Sequence, residues 1–314
     1  MKILIADEMH PSLFEMLDAN GWHYDYKPDY RRNDILARVA SYDGLVIRSK
    51  TRVDEEVLTQ ATTLKFIARA GAGLDLIDLE ATERRNIALF HAGEGNRDAV
   101  AEHTLGMLLM LFNNLHKADR EVREGIWDRE GNRGVELMGK TVGIIGYGNN
   151  GSATAQRLSG FGCQVLAYDK YRDNYGDQFA IEASIEDIQR EADIISLHVP
   201  LTDLTRNLVN DSFIEAFAKP FYLSNVSRGE VASLDAIVKG LQSGKIRGAC
   251  LDVLENEKLS SLTPAQQQAF DYLRASYRVV LSPHVAGWTH ESYVRINEVL
   301  VNQIQTWAQT QAIV

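Results

Sequence analysis

The chain has 314 residues, of which 45% are hydrophobic and 24% are charged, a composition typical of globular proteins and sufficient for two domains. Its formal net charge of -10 argues against nucleic acid or an anionic membrane surface as a partner, because both attract basic proteins. The longest apolar run, Leu105 to Phe112, is far shorter than the ~20 residues of a membrane span. With no apolar leader at the start, we expect a cytoplasmic protein.

Short apolar runs alternate with amphipathic segments along most of the chain. In the first hundred residues this pattern predicts strands at Lys2–Ala6, Gly44–Arg48, Lys65–Arg69 and Ile87–His91, and helices at Pro11–Ala19, Asn33–Val39 and Asp54–Thr59. A second series of strands begins at Thr141, with the sequences TVGII, CQVLAY, DIISLHV, FYLSNV, GACLDV and RVVLS. Strands this uniformly apolar are typical of parallel sheets covered on both faces, so we expect two doubly wound α/β domains.

Two helices are expected at the domain boundaries. One runs without interruption from Ala99 to Ala118, about 30 Å at 1.5 Å per residue, and the other covers Glu291–Ala308. We therefore expect one domain at residues 100–285, inserted into a second, flavodoxin-like domain that is made of residues 1–99 and 286–314 and binds the substrate.

A glycine-rich turn follows the strand TVGII. Gly146, Gly148 and Gly151 have the G-x-G-x-x-G spacing, with Asn149 and Asn150 between them, and an amphipathic helix follows. Such a turn brings backbone N–H groups and a helix N-terminus to a pyrophosphate, which predicts a Rossmann domain that binds NAD. Asp169, after the next strand, is expected to accept hydrogen bonds from the ribose and favour NAD over NADP, a preference that the nearby Lys170 and Arg172 would weaken. The alternative is a βα turn without a ligand.

Three polar residues follow three of the predicted parallel strands, at the sheet edge where ligands bind in α/β folds: Arg228, Glu257 and His284. Each alone also fits a surface charge, a solvated loop or a packed histidine. Together they suit hydride transfer, with His284 as the proton donor, Glu257 orienting its ring and Arg228 binding a carboxylate. No metal site is expected, because no second histidine or acidic group has ligand spacing.

These residues resemble the D-isomer-specific 2-hydroxyacid dehydrogenases over nearly the whole chain. The motifs that carry the resemblance are GYGNNG, LHVPLT, SNVSRG, LDVLENE, SPHVAGWT and AVAEHTLGMLL. The resemblance implies that Arg228, Glu257 and His284 are the catalytic residues and that Asp252 contacts the nicotinamide carboxamide. It also implies that five further residues line the cofactor site: Thr104, His198, Pro200, Thr205 and Val226. Two departures, Lys258 in place of the usual proline and a long stretch from Leu259 to Tyr277, concern the loop around Glu257.

The first domain carries the substrate residues that the resemblance implies. The loop at Gly71, Ala72 and Gly73 matches the family's carboxylate-binding loop, and Arg48 and Arg69 match arginines of phosphoglycerate dehydrogenases. We therefore expect a small anionic 2-hydroxy or 2-oxo acid as substrate, with 3-phosphoglycerate and 3-phosphohydroxypyruvate of serine biosynthesis first. Solvated surface arginines are the alternative, and Trp288 fits either a pocket wall or interdomain packing.

Two other functions stay open. One is a lactate-, glyoxylate- or hydroxypyruvate-type dehydrogenase, and the other is a non-enzymatic, NAD-responsive binding protein similar to the family's corepressors. We expect no regulatory domain or partner-binding tail, given the end at Val314. The helix Ala99–Ala118, at about 30 Å, is longer than one small domain needs, and it matches the family's dimer element, so a homodimer is expected.

Overall fold

The computed structural model describes residues 1–311, so the last three residues of the segment 286–314 lie outside it. Two compact units are present, one formed by Met1–Arg97 together with the chain from Trp288, and the other by Asp98–Gly287. Each has its own sheet, and the strand pairs of both sheets are parallel. This confirms the expected fold class of two doubly wound α/β sheets.

The first unit is built on a five-stranded sheet in the order β2-β1-β3-β4-β5. Its strands are β1 (Lys2–Ile5), β2 (His23–Tyr26), β3 (Gly44–Ile47), β4 (Phe66–Arg69) and β5 (Ala88–His91), and its helices are α1 (Ser12–Ala19), α2 (Arg32–Arg38), α3 (Glu55–Gln60), α4 (Leu79–Arg84) and α12 (His290–Gln311). Alternate residues of β1 enter two different cores, Leu4 on one face and Ile3 and Ile5 on the other. Both faces are buried, which is why the strand sequences lack polar alternation.

The second unit has a seven-stranded sheet in the order β12-β11-β10-β9-β6-β7-β8. Its strands are β6 (Thr141–Ile145), β7 (Gln164–Tyr168), β8 (Ile181–Glu182), β9 (Ile194–Leu197), β10 (Phe221–Asn225), β11 (Ile246–Leu251) and β12 (Val279–Leu281). Its helices are α5 (Arg97–Phe112), α6 (Leu115–Arg123), α7 (Asn149–Leu158), α8 (Ile185–Glu191), α9 (Asp211–Glu215), α10 (Leu234–Ser243) and α11 (Pro264–Ala275). Apolar clusters on the two faces of this sheet form separate cores.

The prediction of one uninterrupted helix at Ala99–Ala118 is wrong. α5 ends at Phe112, and Asn114 takes a left-handed conformation with φ 51° before α6 begins. Asparagine tolerates this conformation better than other residues with a side chain, so a turn here costs little. The 16 residues of α5 span about 24 Å. The 30 Å length therefore no longer argues for a dimer.

Several elements were not named in the sequence prediction, among them β2, β8 and α4. β2 and β8 are edge strands, so one side of each has no neighbouring strand and their sequences, HYDY and IE, are correspondingly polar. α4 has only six residues, too few for a helical period to show. Within residues 1–311, no helix is both long and apolar enough to cross a membrane, and no group of three or more potential metal-binding side chains occurs.

Candidate active site and cofactor cradle

Three neighbouring strands of the second unit end at the same level. In the parallel register, Asn225 of β10 pairs with Leu251 of β11, and Leu251 pairs with Leu281 of β12. The loops that leave these strands therefore start side by side at the carboxyl edge of the sheet. Arg228, Glu257 and His284 are carried by these three loops, one on each.

Glu257 and His284 form a close pair. The Nδ1 atom of His284 lies 2.9 Å from Oε1 and 3.0 Å from Oε2 of Glu257. A carboxylate only accepts hydrogen bonds, so the ring carries a hydrogen on Nδ1 and its Nε2 atom is the one left to exchange a proton with a substrate. The side chains are 44% and 47% exposed, so the pair is accessible.

The backbone that carries His284 is held in an uncommon conformation, with φ 56°. Asp252, only 1% exposed, supports it, since the His284 amide donates to the Asp252 carbonyl at 2.7 Å. The Asp252 carboxylate accepts hydrogen bonds from the amides of Val285 and Ala286, both at 2.9 Å, and from the Ser282 hydroxyl at 2.6 Å. Both carboxylate oxygens thus accept hydrogen bonds from the loop that carries His284. The sequence analysis did not predict this positioning contact.

The electrostatics of Asp252 reflect the same network. Burial alone would raise the pKa of Asp252, but hydrogen bonds from His103, Ser282 and the two amides lower it to about 2. The carboxylate therefore stays charged at neutral pH and keeps the loop in place.

The loop that carries Arg228 depends on a buried side chain, Asn225, which is 1% exposed. Its amide nitrogen donates to the Arg228 carbonyl at 3.0 Å, and its oxygen accepts from the amide of Ser227 at 3.1 Å. The next residue, Gly229, presses against the loop after β11, because a Cβ atom there would lie 1.9 Å from the carbonyl oxygen of Leu254. The Arg228 and Glu257 loops are thus in direct contact, and neither Asn225 nor Gly229 was identified from sequence.

The glycine turn forms a tight cradle at the start of α7. A Cβ atom on Gly146 would lie 2.6 Å from the carbonyl oxygen of His198, and one on Gly151 would lie 2.1 Å from that of Gly146. Gly148, by contrast, faces open space and is the N-cap of α7 without a side-chain cap. The first turn of α7, where Asn149 and Asn150 lie, thus offers backbone N–H groups to an anion, so the cradle fits a pyrophosphate.

Asp169 directly follows β7 and adjoins this turn. Its carboxylate accepts hydrogen bonds from the backbone amides of Tyr147 at 2.9 Å and Tyr171 at 3.0 Å. The guanidinium of Arg172 donates to the Tyr147 carbonyl. An acidic and a basic side chain therefore flank the same turn. Asp169 is suited to ribose hydroxyls, and Arg172 is suited to a phosphate.

Two polar atoms near the turn are buried and have no hydrogen-bond partner among the described residues, Asn150 Oδ1 and His198 Nδ1. The Nε2 atom of His198 lies 2.8 Å from the Ser196 hydroxyl, and burial lowers the pKa of His198 to about 4. The ring is therefore neutral at neutral pH. Unpaired polar atoms of this kind suit a bound polar ligand.

The other residues expected to line the cofactor site occupy two settings. Thr104 is fully buried and its hydroxyl donates to the Val100 carbonyl within α5, while Val226 is 7% exposed and belongs to the core. The Thr205 hydroxyl donates to the Pro200 carbonyl at 2.6 Å and fixes the loop after β9.

The residues expected to bind substrate lie in the first unit. Arg48 follows β3, and its guanidinium is 4.6 Å from the ring centroid of Trp288. Arg69 ends β4, and its side chain covers Gly71, where a Cβ atom would lie 1.5 Å from the guanidinium. Gly71 has φ 144°, a conformation that only glycine adopts readily, and it begins the loop through Ala72 and Gly73.

Residues 105–286 match the family model described as "D-isomer specific 2-hydroxyacid dehydrogenase, NAD binding domain". A D-3-phosphoglycerate dehydrogenase of Archaeoglobus fulgidus is 32% identical over 98% of this chain and 58% of its own length. A glyoxylate reductase of Thermofilum pendens is 35% identical over 89% of this chain and 82% of its own length. A solved D-lactate dehydrogenase of Aquifex aeolicus, complexed with NAD and lactic acid, superimposes with a TM-score of 0.83 at 26% identity, over 99% of this chain and 96% of that one.

The chain spans little more than half the length of the phosphoglycerate dehydrogenases that it matches, between 55% and 58% for the first six of them. It covers four fifths of the glyoxylate reductase.

Proposed function

The chain belongs to the D-isomer specific 2-hydroxyacid dehydrogenase family, with the NAD binding domain at residues 105–286, and we propose that it catalyses the reversible, NAD-dependent oxidation of a D-2-hydroxy acid to the 2-oxo acid. Family membership confirms the resemblance inferred from the motifs. The observation that carries the proposal is the two-contact pairing of Glu257 with Nδ1 of His284, which leaves Nε2 for acid–base work.

Each catalytic side chain has one task. A nicotinamide bound at this site would supply or accept the hydride. In the direction of reduction, Nε2 of His284 donates a proton to the carbonyl oxygen, and Glu257 stabilises the charged ring and fixes its orientation. Arg228 binds the substrate carboxylate through its planar fork of N–H donors. In the direction of oxidation, His284 takes the proton back.

The cofactor is held by this chain's own backbone and side chains. The Gly146–Gly151 cradle and the N-terminus of α7 would bind the pyrophosphate, and Asp169 would accept the ribose hydroxyls. Asp252, whose carboxylate is engaged by Ser282, Val285 and Ala286, keeps the His284 loop in position.

For the substrate, we propose 3-phosphoglycerate and 3-phosphohydroxypyruvate, the pair used in serine biosynthesis. Arg48 and Arg69 follow or end neighbouring strands of the first unit and supply the positive charge that a phosphate requires. Relatives named D-3-phosphoglycerate dehydrogenase support this choice. Glyoxylate is the second candidate, favoured by the glyoxylate reductase, of which this chain covers 82%.

The test is oxidation of NADH by the purified protein with 3-phosphohydroxypyruvate, hydroxypyruvate, glyoxylate and pyruvate, with His284→Ala as the catalytic control. We expect fastest turnover with the phosphorylated acid, and in the variant near-normal NADH binding with most turnover lost. Faster turnover with glyoxylate would replace the proposed substrate but keep the reaction. If no acid is reduced while NADH still binds, the protein is an NAD-responsive binding protein rather than a dehydrogenase.

We also propose a homodimer. The segment from α6 to the start of β6 exposes large apolar side chains, including Trp127 at 79% and Met138 at 73%. Such a concentration of exposed apolar groups is typical of an interaction surface. Sedimentation velocity should give about twice the 35.1 kDa chain mass, and a monomer at micromolar concentration would contradict the proposal.

A further inference from the structure

The guanidinium of Arg48 is enclosed by two aromatic rings of the same unit. It lies 4.6 Å from the ring centroid of Trp288 and 4.5 Å from that of Tyr293. The two rings are 5.7 Å apart and meet edge to face at 61°. Within the described residues 1–311, no carboxylate lies within ion-pair distance of Arg48, so its guanidinium is held by aromatic contacts, while Asp7 and Glu8 act on its charge only from farther away.

The backbone of Arg48 is fixed as well. Its amide donates to the buried carboxylate of Asp7 at 2.7 Å, at the point where the chain leaves β3. The side chain is half-buried, and burial lowers the pKa of Arg48, while the charges of Asp7 and Glu8 act in the opposite direction. A guanidinium covered by rings presents its N–H donors in its own plane, the geometry that a phosphate or carboxylate accepts in pairs.

Arg48 lines a pocket of about 410 Å³, together with His10, Thr289 and both rings. The amide of Ser12 donates to Nδ1 of His10 at 3.3 Å, so the neutral imidazole carries its hydrogen on Nε2 and keeps that donor for a ligand. The pocket also adjoins His290, the first residue of α12. Glu8 is the one acidic residue among those that line the pocket, and its carboxylate would repel a bound anion.

We propose that Trp288 and Tyr293 are positioning residues that hold Arg48 ready to bind the substrate group farthest from the reacting carbon, a phosphate, with His10 as a second donor. This inference rests on the proposed function and names the residues that make it specific. An acidic partner would fix Arg48 equally well, but it would cancel the charge that the phosphate needs. The aromatic pair fixes the side chain and leaves that charge available.

The experiment compares KM for 3-phosphohydroxypyruvate with KM for glyoxylate in Trp288→Ala, Tyr293→Ala and the ring-retaining Trp288→Phe. Removing either ring should raise the ratio of the two KM values by about tenfold, the range of a partly desolvated cation–π contact, and Trp288→Phe should restore most of it. The matched control is Tyr30→Ala, which removes the ring 5.7 Å from Arg38 elsewhere in the same unit and should leave the ratio unchanged.

Inorganic phosphate serves as a probe of the same pocket, because it should inhibit the wild type competitively with the phosphorylated acid and inhibit the ring-less variants more weakly. If Arg48→Ala raises the KM ratio but the ring variants do not, the positioning role is wrong and the phosphorylated substrate stands. If Arg48→Ala has no effect, the phosphate site is wrong and the inference falls with it. Turnover of glyoxylate, measured separately, still decides whether the chain is a dehydrogenase.

Discussion

Replacing Gly229 with alanine should impair catalysis without touching a catalytic side chain. The added Cβ atom would lie 1.9 Å from the carbonyl oxygen of Leu254, 2.0 Å from its carbon and 2.6 Å from the amide nitrogen of Glu255. Ordinary contacts of this kind are at least 3.4 Å, and all three neighbouring atoms are backbone, so rotation of a side chain cannot relieve the overlap. The two loops must separate by 1 to 2 Å, as a rough estimate.

That separation moves Glu257 relative to Arg228, because Gly229 follows Arg228 and Leu254 leads to Glu257. A displacement of about 1 Å in a catalytic group can cost on the order of 100-fold in rate. We therefore expect kcat of Gly229→Ala to fall by about 100-fold, while the dissociation constant for NADH stays within about twofold, since the glycine cradle lies on another loop.

Steady-state oxidation of NADH with the preferred 2-oxo acid measures the first quantity, and quenching of protein fluorescence by NADH measures the second. Gly160→Ala is the matched control, because a Cβ atom at this exposed glycine of the same unit meets nothing within 4 Å. A Gly229→Ala variant that is folded and retains more than a third of the wild-type kcat would refute the argument that loop contact sets the geometry of the site.

Three further outcomes are expected. A Cβ atom at Gly151 would lie 2.1 Å from the carbonyl oxygen of Gly146, so Gly151→Ala should weaken NADH binding by at least about tenfold in a fluorescence titration; unchanged affinity would contradict the cradle. Burial lowers the pKa of His198 from 6.5 to about 4, so the native state binds fewer protons than the unfolded state in this window. The free energy of unfolding by urea should therefore fall as the pH drops from about 6.5 to 4, by at most about 3 kcal/mol, and a His198→Gln variant with the same decline would disprove this assignment. Asn114 has φ 51°, so Asn114→Ala should lower the free energy of unfolding by about 1 kcal/mol and Asn114→Gly by less; equal losses would show that the conformation is not the cause.

The parts of the fold that sequence predicts are those where a single physical requirement fixes the composition. Strands of a sheet covered on both faces must be apolar throughout, and for this reason runs such as TVGII at β6 are visible without any structure. The break at Asn114 is not visible in this way, because Leu111 and Leu115 keep a helical spacing of four residues across Asn113 and Asn114. Hydrophobic periodicity reports which face is buried, whereas the direction of the helix axis depends on one backbone dihedral.

In the candidate site, too, some residues could be predicted from the sequence and others could not. Arg228, Glu257 and His284 were predicted because carboxyl ends of neighbouring parallel strands meet at one edge, which is a consequence of topology alone. Their supports, Asn225, Gly229 and the carboxylate of Asp252 against the His284 loop, depend on distances within about 3 Å that no spacing in the sequence encodes.

The contact between Arg48 and the rings of Trp288 and Tyr293 is the extreme case, because some 240 positions separate the two sides in the printed chain. It arises since the final helix α12 returns to the sheet of the first unit, where Ile296 packs directly against Gly95 and leaves no room for a Cβ atom there. That close approach fixes the second turn of α12, and hence where Tyr293 in the first turn and Trp288 just before the helix reach Arg48. Gly95→Ala should therefore displace α12 and loosen the hold of the rings on Arg48. We expect it to raise the ratio of KM for the phosphorylated acid to KM for the unphosphorylated acid. A normal ratio in a folded Gly95→Ala protein would mean that the rings find Arg48 without the help of helix packing.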